Sequence, residues 1–217
     1  MKNTRASKRL GSLSLLLLLS VLLRAQAPVT ATGNASSLPA DTGRVQILGA
    51  ERLTLLKTDD STTLQILAGS VRLQQDKTLF FCDSCVLNNS GQLFEAWGNV
   101  QIRDNDSIQV FARHLRYLID KKLAYLDGGV RLSDGKAQLT TPDLEYDLNT
   151  DIGIYKKGGK LINKKTTLTS KEGYYYASLK EVYFKNDVYL KDPAYEIKTD
   201  SLLYNTRTQT NRFIAQT

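Results

Sequence analysis

The 217-residue chain has one histidine, one tryptophan, one methionine, two cysteines and four prolines. His114 with the two cysteines falls short of the four ligands a structural zinc site takes, so no metal is expected. No nucleophile elbow, glycine-rich phosphate loop or histidine–carboxylate motif occurs, which argues against an enzyme and implies no cofactor. Asp59 with Asp60 and Asp104 with Asp106 are expected to be solvated turn residues. Glycoside chemistry would need its carboxylates held apart across a cleft. Beyond the N-terminus, no window of about 11 residues sustains a helical period. An all-β mature chain is therefore predicted.

Acids are absent from residues 1–27, where Lys2, Arg5, Lys8, Arg9 and Arg24 stand unopposed. Setting those bases aside leaves 24 against 22 acids, so the formal charge of +7 overstates the rest of the chain. No basic face is expected, and nucleic acid is not expected as a partner. The apolar run from Leu10 to Leu23 is short for a membrane span of about 20 residues and suits a secretory signal peptide over residues 1–27. No cysteine ends that run, which disfavours lipoprotein processing. Residues 28–43 are small, polar and turn-rich, as a flexible linker would be, leaving one domain over 44–217.

That domain repeats itself. Ala96-Trp97-Gly98-Asn99-Val100-Gln101-Ile102 recurs as Ala68-Gly69-Ser70-Val71 and as Asp127-Gly128-Gly129-Val130-Arg131-Leu132. Looser copies lie at Lys157–Ile162 and Lys185–Leu190. Each copy reads as a tight turn feeding an alternating strand. A second register places Phe81, Val110, Leu139, Leu168 and Ile197 at intervals of 29 residues. Val86, Leu115, Leu144, Gly173 and Leu202 follow five residues later, then Asn88, Tyr117, Tyr146, Tyr175 and Tyr204. A step of five reverses parity in a period-2 strand, so every repeat must bend or bulge at one place. The strands are expected to be of ~5–6 residues, burying one face only. Antiparallel repeats of ~29 residues, stacked in series, are the expected architecture.

Glu95-Ala96-Trp97-Gly98-Asn99-Val100, Cys82-Asp83-Ser84, Leu115-x-Tyr117, Leu144-Glu145-Tyr146-Asp147, Ile152-Gly153-x-Tyr155 and Thr199-Asp200-Ser201-Leu202-x-Tyr204-Asn205 resemble the OstA-like family. That family comprises the periplasmic lipopolysaccharide-transport proteins of the LptA kind and the N-terminal domain of LptD. The resemblance spans Val45 to Thr217. It implies a twisted β-jellyroll in the periplasm, in association with outer-membrane assembly. Such a jellyroll holds lipid acyl chains inside, performs no catalysis, and bridges the two membranes by edge-to-edge stacking with like domains or further copies. On that reading Phe81, Val100, Ile102, Val110, Leu115, Tyr117, Val130, Leu132, Leu139, Leu144 and Tyr146 line the groove and meet lipopolysaccharide or its lipid A part. Asn88 departs from its aromatic column, and Lys160 with Gly173 departs from apolar ones, which would open the groove locally. The alternative is a non-catalytic envelope scaffold with a filled core, binding partners through its strand edges.

Cys82 and Cys85 fall at the two ends of the expected corner, where a turn can bring Cα atoms within ~7 Å. Export favours oxidation, so either a disulfide or a pair of quiet thiols is expected. His114 is expected as an exposed turn residue. All eleven tyrosines lie from Tyr117 onward, and four of them form the ladder named above. That ladder reads as core packing, as an amphipathic wall with hydroxyls at the groove mouth, or as both. Lys156, Lys157, Lys160, Lys164 and Lys165 read as solvated turn residues or as contacts to lipid phosphates.

Overall fold

The computed structural model describes residues 44–104 and 108–213. The expected signal peptide and linker, and Asp106, lie outside the described residues. The rest is all-β and antiparallel, as the sequence predicts. It begins with β1 (Gln46–Gly49), β2 (Arg52–Lys57), β3 (Thr63–Gln75), β4 (Thr78–Asn88) and β5 (Leu93–Asp104). Then come β6 (Ile108–Leu118), β7 (Leu123–Ser133), β8 (Ala137–Asp147), β9 (Ile152–Tyr155) and β10 (Gly159–Asn163). The series closes with β11 (Thr166–Ser170), β12 (Glu172–Tyr176), β13 (Glu181–Lys191), β14 (Glu196–Asn205) and β15 (Thr210–Phe213). All belong to one sheet in which neighbours in sequence are mostly neighbours in space.

Most strands run longer than predicted because the Gly-Asn-Val steps are not hairpin turns. They are bulges inside continuous strands. The register slips between Ala68 and Val71, Trp97 and Val100, Asp127 and Val130, and Lys185 and Val188. At each slip two adjacent residues take positive φ: Gly69 with Ser70, Gly98 with Asn99, Gly128 with Gly129, and Asn186 with Asp187. Only glycine does so without steric cost, and Asn and Asp tolerate it best among the others. β1 with β2, β9 with β10, and β11 with β12 are single passes broken at the same corner.

The corner folds the sheet on itself into a jellyroll of two half-sheets. Inward parity changes there in β4, β6, β8 and β14, as the step of five requires. It is kept in β3, β5, β7 and β13, where the positive-φ pair lengthens the pass. In the first half-sheet one cross-strand row runs Leu73, Phe80, Ile102, Val110, Leu132, Leu139, Leu161, Leu168, Leu190 and Ile197. In the second, one row passes through Leu67, Cys85, Ala96, Leu115, Leu126 and Leu144. A further row passes through Leu87, Phe94, Tyr117, Ala124, Tyr146, Gly153, Tyr175, Val182 and Tyr204. These rows form one buried cluster.

Two departures read from the sequence disappear in the structure. The first repeat is offset by one residue, so Leu87, 1% exposed, holds the place assigned to Asn88. Leu161 rather than Lys160 faces inward, and the space left by Gly173 is filled by the Tyr155 ring, against which a Cβ on Gly173 or Gly159 would collide. The groove is not opened there. Gly173→Ala is expected to cost about 1–3 kcal/mol by overpacking against Tyr155, and Tyr155→Leu in that background to recover part of it, both read as urea midpoints.

Candidate functional site

The space between the half-sheets is where the sequence-predicted residues meet. Val100, Ile102, Val110, Leu115, Tyr117, Val130, Leu132, Leu139, Leu144 and Tyr146 are all at most 2% exposed and all face inward. Phe81 is the exception. Its neighbours Phe80 and Cys82 are buried, whereas Phe81 faces outward under the Arg103 guanidinium, 4.7 Å from the ring centroid. The one-residue offset of the first repeat explains the error: Phe80, not Phe81, stands in the inward row.

The mouth between the half-sheets carries a feature that apolar periodicity does not reveal. Two residues beyond the inward apolar row, each repeat places a polar side chain on the inward parity: Gln75, Asp104, Asp134, Asn163 and Asp192. The first three reach across the mouth to the tyrosine of the next repeat. Tyr117 donates its hydroxyl to Gln75, Tyr146 to Asp104 at 3.3 Å, and Tyr175 to Asp134 at 2.9 Å. Further bonds fasten the same seam. Gln75 donates to the Ile119 carbonyl, Thr206 donates to Asp134, and Asn163 donates to the Thr206 carbonyl. Lys122 pairs with Asp76 at 2.6 Å. Tyrosines on alternate passes face Ala124, Gly153 and Val182 between them, which leaves room for the rings.

Electrostatics follow from enclosure. Burial, reinforced by the nearby carboxylates, pushes the Tyr117, Tyr146 and Tyr175 hydroxyls well above the usual phenol range, so they stay neutral donors. Burial pushes Tyr155 up to about 12, moderated by its hydrogen bond with Ser170. Burial raises Asp134, but amide bonds from Ala137 and Lys136 and hydroxyl bonds from Thr206 and Tyr175 outweigh it, and the carboxyl lies below its ordinary 3.8. Asp151 is raised by burial and by its neighbour Asp104. Asp104, expected in solvent, is 5% exposed and also accepts from Thr78 at 2.7 Å. Asp59 does sit exposed in its turn, accepting from the Ser61 and Thr62 amides.

The remaining candidates are distributed otherwise than expected. Cys82 and Cys85 are free thiols, not a disulfide. The bulge turns both inward, and the hydrogen bond with Cys82, together with burial, raises the Cys85 thiol far above its ordinary value. His114 lies within β6 rather than in a turn, stacked on Trp97 at 5.6 Å with Nδ1 2.9 Å from Asp127. Lys157 pairs with Asp143, and Lys164 occupies the β10–β11 turn with positive φ, so the lysines do not form one patch. Among the described residues no three His, Cys, Asp or Glu side chains gather as a metal site. A cavity of about 590 Å³ lies against the corner, lined by Glu51, Gly69, Arg72, Cys82 and Asn99.

An all-β repeat jellyroll with a one-sided apolar interior and a laced mouth is thus the class of protein. The profile of the OstA-like protein family matches residues 42–200, and the chain belongs to that family. Among solved structures it is similar to LptH of Pseudomonas aeruginosa, the LptA-homologous periplasmic component of that organism's lipopolysaccharide transport device. The TM-score is 0.44 and the identity 17%, over 48% of this chain and 80% of that one. No curated protein matches.

The depressed Asp134 carboxyl sets the sign of one pH effect. Its ionised form is favoured by the fold, so its contribution is present above the ordinary carboxyl value and is lost as pH falls through the folded one. Asp134→Asn should cost about 1–3 kcal/mol at neutral pH. The difference in melting temperature from wild type should shrink as pH falls below the ordinary carboxyl value of 3.8, followed by circular dichroism.

Proposed function

We propose that the chain is a periplasmic lipopolysaccharide-binding module that serves transport between the inner and outer membranes. It holds the acyl chains of lipid A between its half-sheets and pairs edge to edge with other jellyroll domains or further copies. The observation that carries this reading is an inward apolar face in register across every repeat of a chain of the OstA-like family. The inward rows also continue to both ends, where the described residues leave them exposed. Leu53 and Leu55, opposite Leu67 and Gln65, are 54% and 63% exposed, and Phe213, opposite Leu202, is 59% exposed. A neighbouring domain set against either edge would continue those rows and satisfy the open backbone of the edge strand.

Magnitudes favour entry despite the laced mouth. An acyl chain of about a dozen carbons gains roughly 10 kcal/mol on leaving water, whereas parting the three mouth bonds, one to the Gln75 amide and two to aspartates, costs about 4–7. Displacing packed side chains adds to that cost. The packing also favours a second reading, an envelope scaffold with a filled core that binds through its edges. Phe80, Phe94 and Tyr117 pack within 4.9–5.2 Å of one another and are at most 2% exposed.

The carrier reading predicts that photocrosslinking groups at Val130 and Leu139 capture lipopolysaccharide. It also predicts that Leu115→Asp with Leu144→Asp lowers capture at least about tenfold in protein that remains folded. Undiminished capture by that folded variant would overturn the groove assignment. A wild-type protein that takes up neither lipopolysaccharide nor an apolar dye would favour the filled scaffold.

A further inference from the structure

Net charge conceals how charge is divided between the two outer faces. Two outward cross-strand rows cover the first half-sheet, one from Arg72 to Lys198 and one from Gln74 to Glu196. They hold six exposed bases, Arg72, Arg103, Arg131, Lys160, Lys191 and Lys198, and a single acid, Glu196. The outer face of the second half-sheet is the more acidic one, with Glu95, Asp127, Asp143, Glu145, Asp147, Glu172 and Glu181 set among Arg52, Arg116, Lys156, Lys157, Lys185 and Arg212. The basic face that the sequence did not predict therefore exists, because the corner places nearly all the outward acids on one half-sheet while both carry bases.

The two faces also differ in how their charges are engaged. On the acidic face Asp127 meets His114, Asp143 meets Lys157, and Glu95 lies 3.9 Å from Arg116. On the basic face, among the described residues, only Lys191 has a carboxylate in reach, Glu196 at 3.7 Å. The others sit over rings or in the open. Arg103 covers Phe81, Arg131 covers Phe111 at 4.2 Å, and Lys198 covers Tyr189 at 5.6 Å. Ile162, 40% exposed, joins the same face.

We propose that this outer face of the first half-sheet docks on an anionic lipid surface. Ten strand passes at about 4.8 Å spread the bases over roughly 40 Å, which suits a surface of phosphates rather than one small anion. Aromatic rings and an exposed isoleucine beneath the cations match the boundary between headgroups and acyl chains. The other occupant suggested by charge, the acidic face of a second copy, is less suited because its carboxylates are largely engaged within their own sheet. The inference does not depend on what the interior holds.

The test reads each face separately in the full chain, so that binding through the N-terminal segment does not confuse it. Trp97 lies on the acidic outer face. Phe111→Trp in a Trp97→Phe background reports the basic face. Vesicles of phosphatidylglycerol and phosphatidylethanolamine with brominated chains should quench the tryptophan at position 111 and leave Trp97 of the wild type unquenched. Brominated phosphatidylcholine vesicles should quench neither. Quenching should weaken in about 0.5 M salt. Arg72→Ser, Arg103→Ser, Arg131→Ser and Lys160→Ser together should reduce it at least about tenfold, whereas Arg116→Ser with Lys185→Ser should not. Equal quenching of both faces, or none at position 111, would overturn the proposal, and the face comparison decides even if the fourfold variant fails to fold. Salt-sensitive self-association in place of vesicle binding would overturn it in favour of copy-to-copy stacking, and retention on DNA without vesicle binding would overturn it in favour of a linear polyanion.

Discussion

Everything in this fold depends on one geometric constraint: a strand alternates its side chains with period two, yet both ends of each strand must bury the same face. A flat strand would satisfy this with one sheet and leave that face in water. Folding the sheet at mid-length encloses it, and at the fold paired passes take unequal numbers of residues. β3, β5, β7 and β13 take four residues there and keep their parity, Leu67 to Val71, Ala96 to Val100, Leu126 to Val130 and Phe184 to Val188. They do so through the adjacent positive-φ residues that begin at Gly69, Gly98, Gly128 and Asn186. β4, β6 and β8 take three and change it, Cys82 to Cys85, Ala112 to Leu115 and Thr141 to Leu144. The partners bend opposite them, at Asp83, Arg113 and Pro142, without leaving ordinary backbone space. Glycine at these places is therefore structural in a strong sense, because a Cβ at Gly98 would collide with the Asp83 side chain and at Gly128 with that of Arg113.

Enclosure creates a second problem, the long mouth where the half-sheets meet. An apolar mouth would leave strand ends exposed, and charged lips would repel or float apart. The chain uses tyrosine, whose ring belongs to the core and whose hydroxyl reaches the rim, and it supplies an acceptor from the preceding repeat. Where the acceptor is a carboxylate, as with Asp134, amide and hydroxyl donors hold it ionised. Tyr204 stands beside Thr166 and Asn163, whose amide is turned toward the Thr206 carbonyl. The fastening is thus uneven along the seam.

The recurrent bend and the inward columns were legible in the sequence because a 29-residue period repeats them five times, and repetition outweighs the ambiguity of any single strand. The role of the Gly-Asn-Val step was misread because glycine with asparagine signals positive φ without saying whether the chain then reverses or continues. Phe81 was misplaced because the chain from Ile102 to its partner Val110 is one residue longer than that from Leu132 to Leu139 or from Leu73 to Phe80, which offsets the first repeat. The acceptors Gln75, Asp104 and Asp134 stand on the same period, but polar residues near turns are the ordinary expectation for solvent, and only a folded sheet turns them inward. The split of charge between the outer faces was hidden for a related reason: it is a property of which side of the corner a residue occupies, and a net charge sums across the corner.

The tyrosine-to-acceptor contacts span 41 or 42 residues wherever they occur, close to one and a half repeats. Each pass otherwise pairs mainly with the pass before it. The mouth of one repeat can therefore close as soon as the next repeat has formed, whatever lies further along. A chain delivered end first can lock in order, repeat by repeat, with little unpaired sheet waiting at any moment. The cost of enclosing a long apolar interior is spread over many small closures.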